Sequence, residues 1–233
     1  MCVIAYEVFI VRKYRLYPNR EQRELLSKTF GCCRYVYNRA LALKTAMYKA
    51  EKKGVSVFQI EKEMVKWKDL PETQWLSEVN SQALQQSLKH LDAAFTRFFK
   101  KIAEYPKFKK KINRNSFCNS QRTKVKNDRI YIPKFKNGIK MVVHRELPIG
   151  KIKSSTVSKT SSGKYFVSIL TETDDNFPKR LKPIEAKTLG IDLGLNYYLT
   201  DSNGKKTENP RHLKKKLRKL RRLNRSYSRK QKG

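Results

Sequence analysis

The sequence predicts an α+β chain: a strand, a block of helices, a run of strands, and then a short strand pair followed by a basic helix. Three observations carry that reading. β-branched and aromatic residues crowd positions 3–17 and recur between 116 and 173. Between those regions apolar residues return at steps of four and three, the period of a helix face. After position 211 leucines keep a helical stripe while the remaining positions turn cationic.

In order, the first strand spans 3–17 and ends at Pro18. Asn19 then stands where an N-cap belongs, with Gln22 three residues on to reach back, and Leu26, Phe30, Cys33, Tyr37 and Leu41 form one stripe. Gly54 is expected to close this helix. A second helix is expected over Val57–Trp67, capped by Ser56 and stopped by Asp69-Leu70-Pro71. The third starts near Asn80 and places Leu84, Leu88, Leu91, Phe95, Phe98 and Ile102 on one face, completing a bundle whose stripes are core. After Tyr105 comes a basic connector, Pro106-Lys107-Phe108-Lys109-Lys110-Lys111. Strands follow at 129–133, 139–143, 152–160 and 164–170, the last two joined by Ser161-Ser162-Gly163 as a hairpin. Positions 174–183, polar and with two prolines, read as a linker.

Beyond it, Thr188–Gly194 and Tyr197–Gly204 read as two antiparallel strands with a turn after the second. Asp192 falls mid-strand. A buried strand rarely holds an ionised side chain unless it is paired or binds a metal, so this residue is the first candidate for chemistry. The plain alternative is a strand-end aspartate capping a turn.

The chain has 233 residues and a formal net charge of +34, from 54 Lys and Arg against 20 Asp and Glu. Such an excess calls for a polyanionic partner. No apolar run approaches the roughly 18 residues of a spanning helix, and Met1–Glu7 lacks a secretory pattern, so the expectation is a cytoplasmic, nucleoid-associated protein with no membrane partner. Cys2, Cys32, Cys33 and Cys118 have neither CxxC spacing nor histidine companions, which argues for small apolar residues and against zinc ligands. From Arg211 to Gly233 there are twelve Lys or Arg and no acid, a density that repels itself unless phosphates neutralise it.

Several segments, in this order, resemble the TnpB (OrfB) proteins of insertion sequences. They are Arg15-Leu16-Tyr17-Pro18-Asn19 with Glu21-Gln22; Phe30-Gly31-Cys32-Cys33-Arg34-Tyr35-Val36-Tyr37-Asn38; Trp75-Leu76-Ser77-Glu78-Val79; Ala83-Leu84-Gln85-Gln86-Ser87-Leu88 with Phe98-Phe99; Pro106-Lys107-Phe108-Lys109; and Gly190-Ile191-Asp192-Leu193-Gly194. The resemblance implies a wedge-type β-barrel with an inserted helical recognition bundle, followed by the first strands and arginine-rich helix of an RNase H-like (RuvC) domain. The implied divisions are 1–17 and 115–182 for the barrel, 18–114 for the bundle and 183–233 for the start of RuvC. The implied activity is RNA-guided DNA cleavage beside a short adjacent motif, with a guide RNA from the transposon end and double-stranded target DNA as partners.

By the same resemblance Asp192 corresponds to the first of three catalytic acids that hold Mg²⁺, a pair of ions that needs several carboxylates. The other two acids and a zinc ribbon lie farther downstream in the family; here only Asp201 and Glu208 follow Asp192. The expectation is an amino-terminal portion that binds guide and target without cutting. A complete RuvC site would carry the Mg²⁺, and this portion holds no zinc ligands. The expected nucleic-acid contacts are Arg34, Gln85 as an adenine reader, the connector lysines Lys107, Lys109, Lys110 and Lys111, and on the final helix Lys214, Lys215, Arg218, Arg221, Arg222 and Arg225. Tyr37 is expected to pack. A TnpB-derived binding regulator competes with this reading. A ribosomal-type RNA binder and an actin-like ATPase fit less well, since the latter would need small hydroxyl residues where Leu195-Asn196-Tyr197-Tyr198 stand.

Overall fold

The computed structural model describes residues 8–52, 54–111, 115–173 and 183–230. The chain divides into two compact units, Met1–Phe177 and Pro178–Gly233. Cys2, the first residues of the expected opening strand, and nearly all of the expected linker at 174–183 lie outside the described residues.

In the first unit, strand β1 (Val8–Tyr17) leads into helix α1 (Arg20–Glu51). Asn19 is its N-cap. The Asn19 side chain accepts from the Gln22 backbone N–H at 2.8 Å, and the Gln22 side chain accepts from the Asn19 N–H at 3.1 Å, which satisfies two donors the first helical turn leaves open. The Gln22 Nε2 also donates to the Gly138 carbonyl at 2.8 Å, tying the helix start to the sheet. The expected stop at Gly54 is corrected. α1 ends at Glu51, where Lys52 takes a left-handed conformation (φ 56°) and its N–H bonds the Tyr48 carbonyl.

Helix α2 (Val57–Asp69) is capped by the reciprocal Ser56–Gln59 pair, and Leu70, extended before Pro71, stops it. A 3-10 segment, Pro71–Glu78, follows; it buries Thr73 and Leu76, and the Thr73 hydroxyl donates to the Trp67 carbonyl. Helix α3 (Ser81–Phe99) starts at the Asn80 cap and fully buries Leu84, Leu88 and Leu91. Its stripe does not continue to Ile102, as the spacing suggests. The helix ends at Phe99 and Ile102 is 72% exposed, while Phe95 and Phe98 meet Tyr105 edge-on at 5.5 and 5.3 Å.

Strands β2 (Asn115–Asn119), β3 (Lys124–Lys126), β4 (Arg129–Tyr131), β5 (Ile139–Val142), β6 (Lys151–Lys159) and β7 (Tyr165–Thr173) join β1 in one sheet of order β2-β6-β7-β1-β5-β4-β3. All its pairings are antiparallel. β2 and β3 are its two edges, yet residues 120–123 alone join them. A flat seven-stranded sheet would hold its edges roughly 29 Å apart, whereas such a connection spans at most about 17 Å. The sheet therefore curls into a half-barrel, and the Thr123 and Ser155 hydroxyls bond across its seam at 2.8 Å. The β6–β7 hairpin turns at Ser161-Ser162-Gly163 as expected, with Gly163 at φ 79° and its N–H on the Thr160 carbonyl.

Burial alternates strictly along β7, and Tyr14, Leu16, Ile130, Ile139, Met141, Val157, Val167 and Ile169 line the inner face. These residues form one continuous core with Leu26, Phe30, Val36, Leu41, Leu84 and Leu88 of the helices, bridged where Phe30 meets Phe117 at 5.6 Å.

In the second unit β8 (Ile191–Asp192), β9 (Tyr197–Asp201) and β10 (Lys206–Glu208) form an antiparallel sheet of order β10-β9-β8, and helix α4 (His212–Lys230) follows. β10, which three polar residues give no apolar signature, was not expected. No described helix is long and apolar enough to cross a membrane.

Candidate nucleic-acid interface

Asp192 does not sit mid-strand in a buried element. β8 is two residues long, flanked by Gly190 and Leu193, and lies at the edge of its sheet with both residues exposed. The strand extends only through the pairing of Ile191 with Asp201, of Asp192 with Thr200, and the bonds between Gly190 and Ser202. Because successive strand residues face opposite ways, this register turns Asp192 and Asp201 to opposite faces. The Asp201 carboxylate is engaged elsewhere: it accepts from the Asn203 and Lys205 N–H groups, each at 2.9 Å, and fixes the expected turn with Gly204 at φ 80°. The plain role weighed for Asp192, capping a turn, belongs to Asp201.

α4 buries none of its residues. Lys214, Lys215, Arg218, Arg221, Arg222 and Arg225 are exposed, and only Leu217 is half-buried. With no acidic residue in its length, the helix presents a cationic surface that nothing on the helix itself neutralises.

The connector lysines are held differently from one another. Lys107 pairs with Glu104 at 2.5 Å on the surface, a pair worth little in water and easily exchanged for a phosphate. The Lys109 backbone is clamped by Asn38, whose side chain accepts from its N–H at 2.8 Å and donates to its carbonyl at 3.0 Å. The Lys109 ammonium lies 3.9 Å from the centre of the buried Tyr37 ring, and burial of that group pushes its pKa below the ordinary lysine range, with Cys33 opposing. Tyr37 packs, as expected, and also seats a cation. Lys110 and Lys111 are exposed.

Arg34 is half-buried on α1, its Nη1 3.4 Å from the Asn115 side chain. Gln85 faces solvent from the second turn of α3. Cys32 and Cys33 are buried, which pushes their thiols up to about 12 and about 11, so both behave as packing residues. Cys118 is half-buried, and among the described residues no cluster of His, Cys, Asp and Glu could hold a metal.

One surface escaped the sequence reading. The outer face of the curled sheet carries Lys13, Arg15 and Tyr17 from β1 beside Phe166 from β7. Lys13 Nζ lies 4.7 Å from the Phe166 ring centre, and the Arg15 guanidinium lies 5.6 Å from Phe166 and 5.2 Å from Tyr17. The Arg15 Nε is buried without a hydrogen-bond partner. The signal was present as the alternation Phe9, Val11, Lys13, Arg15, Tyr17, but Phe166 joins it only through strand pairing. Interleaved cations and aromatic faces suit phosphates and unpaired bases.

Comparison with known proteins agrees with this chemistry. Residues 10–53 match the OrfB/IS605 family described as "Helix-turn-helix domain", a span that here comprises most of β1 and all of α1. Residues 168–233 match the OrfB/IS605 family described as "Probable transposase". A Streptomyces pristinaespiralis protein named "Putative RNA-guided DNA endonuclease" is 37% identical over 224 residues, 95% of this chain and 55% of that protein. "Putative RNA-guided DNA endonuclease InsQ" of Escherichia coli K12 is 37% identical over 220 residues, 94% of this chain and 53% of its own. The chain thus spans about half the length of these curated relatives. "Virulence protein VsdF" of Salmonella dublin is 36% identical over 110 residues, 42% of this chain and 91% of its own. The chain belongs to the TnpB (OrfB) family of IS605-type insertion-sequence proteins.

Proposed function

We propose that this chain binds a guide RNA made from its transposon end together with the double-stranded DNA that the guide selects, and that the 233-residue polypeptide alone does so without cutting. The observation that carries the reading is α4, a helix with no buried residue, dense in Lys and Arg and free of acids, in a chain of net charge +34. The names of the two long relatives give this polyanion its kind. In this reading the curled sheet acts as the wedge domain, α1 to α3 as the recognition bundle, and the Asp192 strand pair with α4 as the start of an RNase H-like RuvC domain. Lys13, Arg15, Arg34, the connector lysines and α4 hold backbone phosphates, which sets affinity and salt dependence; Gln85, exposed on α3, is the candidate reader of adjacent-motif bases.

Asp192 is the candidate first acid of a Mg²⁺ site, but the donors present do not fit a pair of such ions. Asp192 and Asp201 face opposite ways, and the Asp201 carboxylate already accepts two backbone N–H groups. Glu208 stands on β10, at the opposite edge of the sheet from β8, and Asp192 alone leaves most of the charge of two Mg²⁺ ions uncompensated, so no cleavage step is assigned to this polypeptide. Binding and cutting are separated by incubating the purified chain, a guide transcribed from the flanking transposon end, end-labelled target duplex and Mg²⁺. The expected result is a retarded complex with intact DNA, the same for wild type and Asp192→Asn. Cleavage lost in Asp192→Asn would contradict the binding-only reading.

A further inference from the structure

Between the outer surface of α1 and the 3-10 segment lies an open pocket of about 660 Å³, within the usual range for small-molecule sites. One wall is Trp75. Its indole N–H donates to the Glu72 carbonyl at 2.9 Å, and its ring meets Tyr35 edge-on with centroids 5.0 Å apart. The indole is therefore fixed in orientation while 38% of the residue remains open to solvent. Tyr35 is braced in turn: Arg39 Nη1 donates to its hydroxyl at 2.8 Å, and the Arg39 guanidinium lies 4.6 Å from the Trp67 ring centre. Tyr35 packs against the core, and the Trp75 ring it braces keeps an open face toward the pocket.

Gly31 makes the same point from the floor of the pocket. A mid-helix glycine costs about 1 kcal/mol relative to alanine, and here a Cβ would meet nothing within 4 Å, so no internal neighbour demands it. Its effect is to keep the floor low and the backbone approachable. Arg34 stands at the rim, where among the described residues its guanidinium makes one long hydrogen bond, to Asn115, and the Lys28–Glu78 pair at 2.5 Å lines the rim as well.

We propose that this pocket captures one unpaired nucleotide of a single strand, its base stacked on Trp75 and its phosphate met by Arg34. The proposal rests on the nucleic-acid reading above and goes beyond it by naming a site for a flipped or single-stranded base. A flat, rigid aromatic beside cations is the arrangement that accepts any base through its π-face while the cation holds the backbone.

The test measures anisotropy of the whole chain with labelled oligomers of about ten residues: oligouridylate RNA, oligothymidylate DNA, and a sugar–phosphate oligomer of equal length lacking bases. Trp75→Ala should weaken binding of a base-bearing oligomer about tenfold, leave the base-free oligomer unchanged, and leave the salt dependence unchanged. Trp75→Phe should restore binding to within about threefold, which separates lost stacking from lost folding. Whichever of the RNA and DNA arms is weakened identifies the strand the pocket serves. Equal weakening of base-free and base-bearing oligomers, or none, would overturn the pocket. If the wild type binds the base-free oligomer as tightly as the others, or binds none of them while still retarding the guide–target complex, the pocket falls and the wider function stands; if that complex is not retarded either, both fall.

Discussion

Replacing Lys214, Lys215, Arg218, Arg221, Arg222 and Arg225 together by Gln is expected to weaken binding to structured RNA or duplex DNA about a thousandfold at about 0.1 M salt. Each phosphate contact on duplex DNA contributes about 0.9 to the slope of log affinity against log salt, and somewhat less on single strands. If half of these six side chains touch phosphate, the slope falls by about 3, and a change of that size amounts to roughly three decades in affinity at 0.1 M relative to 1 M. Glutamine has nearly the helix propensity of lysine and arginine, so α4 should persist, relieved of its self-repulsion. Titrations from about 0.05 to 0.4 M salt read both quantities. An unchanged slope would remove α4 from the interface.

The second large effect concerns stability. Leu84 on α3 has no exposed surface and lies in the core shared by the helices and the curled sheet. Leu84→Ala should cost about 2–5 kcal/mol, the sum of lost transfer energy and the cavity left behind. Denaturant unfolding would register this as a lower midpoint with an unchanged slope. Leu220→Ala on α4, where Leu220 is 52% exposed, should cost far less. If the two substitutions cost the same, Leu84 does not lie in the shared core.

What the sequence revealed and what it hid divide along a physical line. The caps at Asn19, Ser56 and Asn80 were legible because capping is settled within four residues. The hairpin at Gly163 and the turn at Asp201 were legible for the same reason. Features set by distant partners were not. Ile102 continues the stripe of α3 in sequence, but the helix ends at Phe99, so that position never reaches the core. β10 shows itself only by pairing with β9, and the cation–aromatic ladder of Lys13, Arg15 and Tyr17 only by the register that brings Phe166 alongside. The apolar run around Asp192 reads as a buried strand, whereas β8 is a two-residue edge, because an apolar run states a preference for burial and cannot say what covers it. Candidate contacts divide likewise: α4 and Lys110 are open as charge density suggests, while Lys109 is fixed by Asn38 and Tyr37, residues some seventy positions away.

The claim at the centre is that this chain's cationic surfaces serve a particular guide RNA. Purifying the chain from cells that carry its own insertion sequence, and sequencing the RNA that stays bound through a wash at about 0.5 M salt, tests it most directly. The account predicts one discrete RNA species transcribed from the transposon end and reaching into the flanking DNA. Ribosomal or unselected cellular RNA in its place would contradict it.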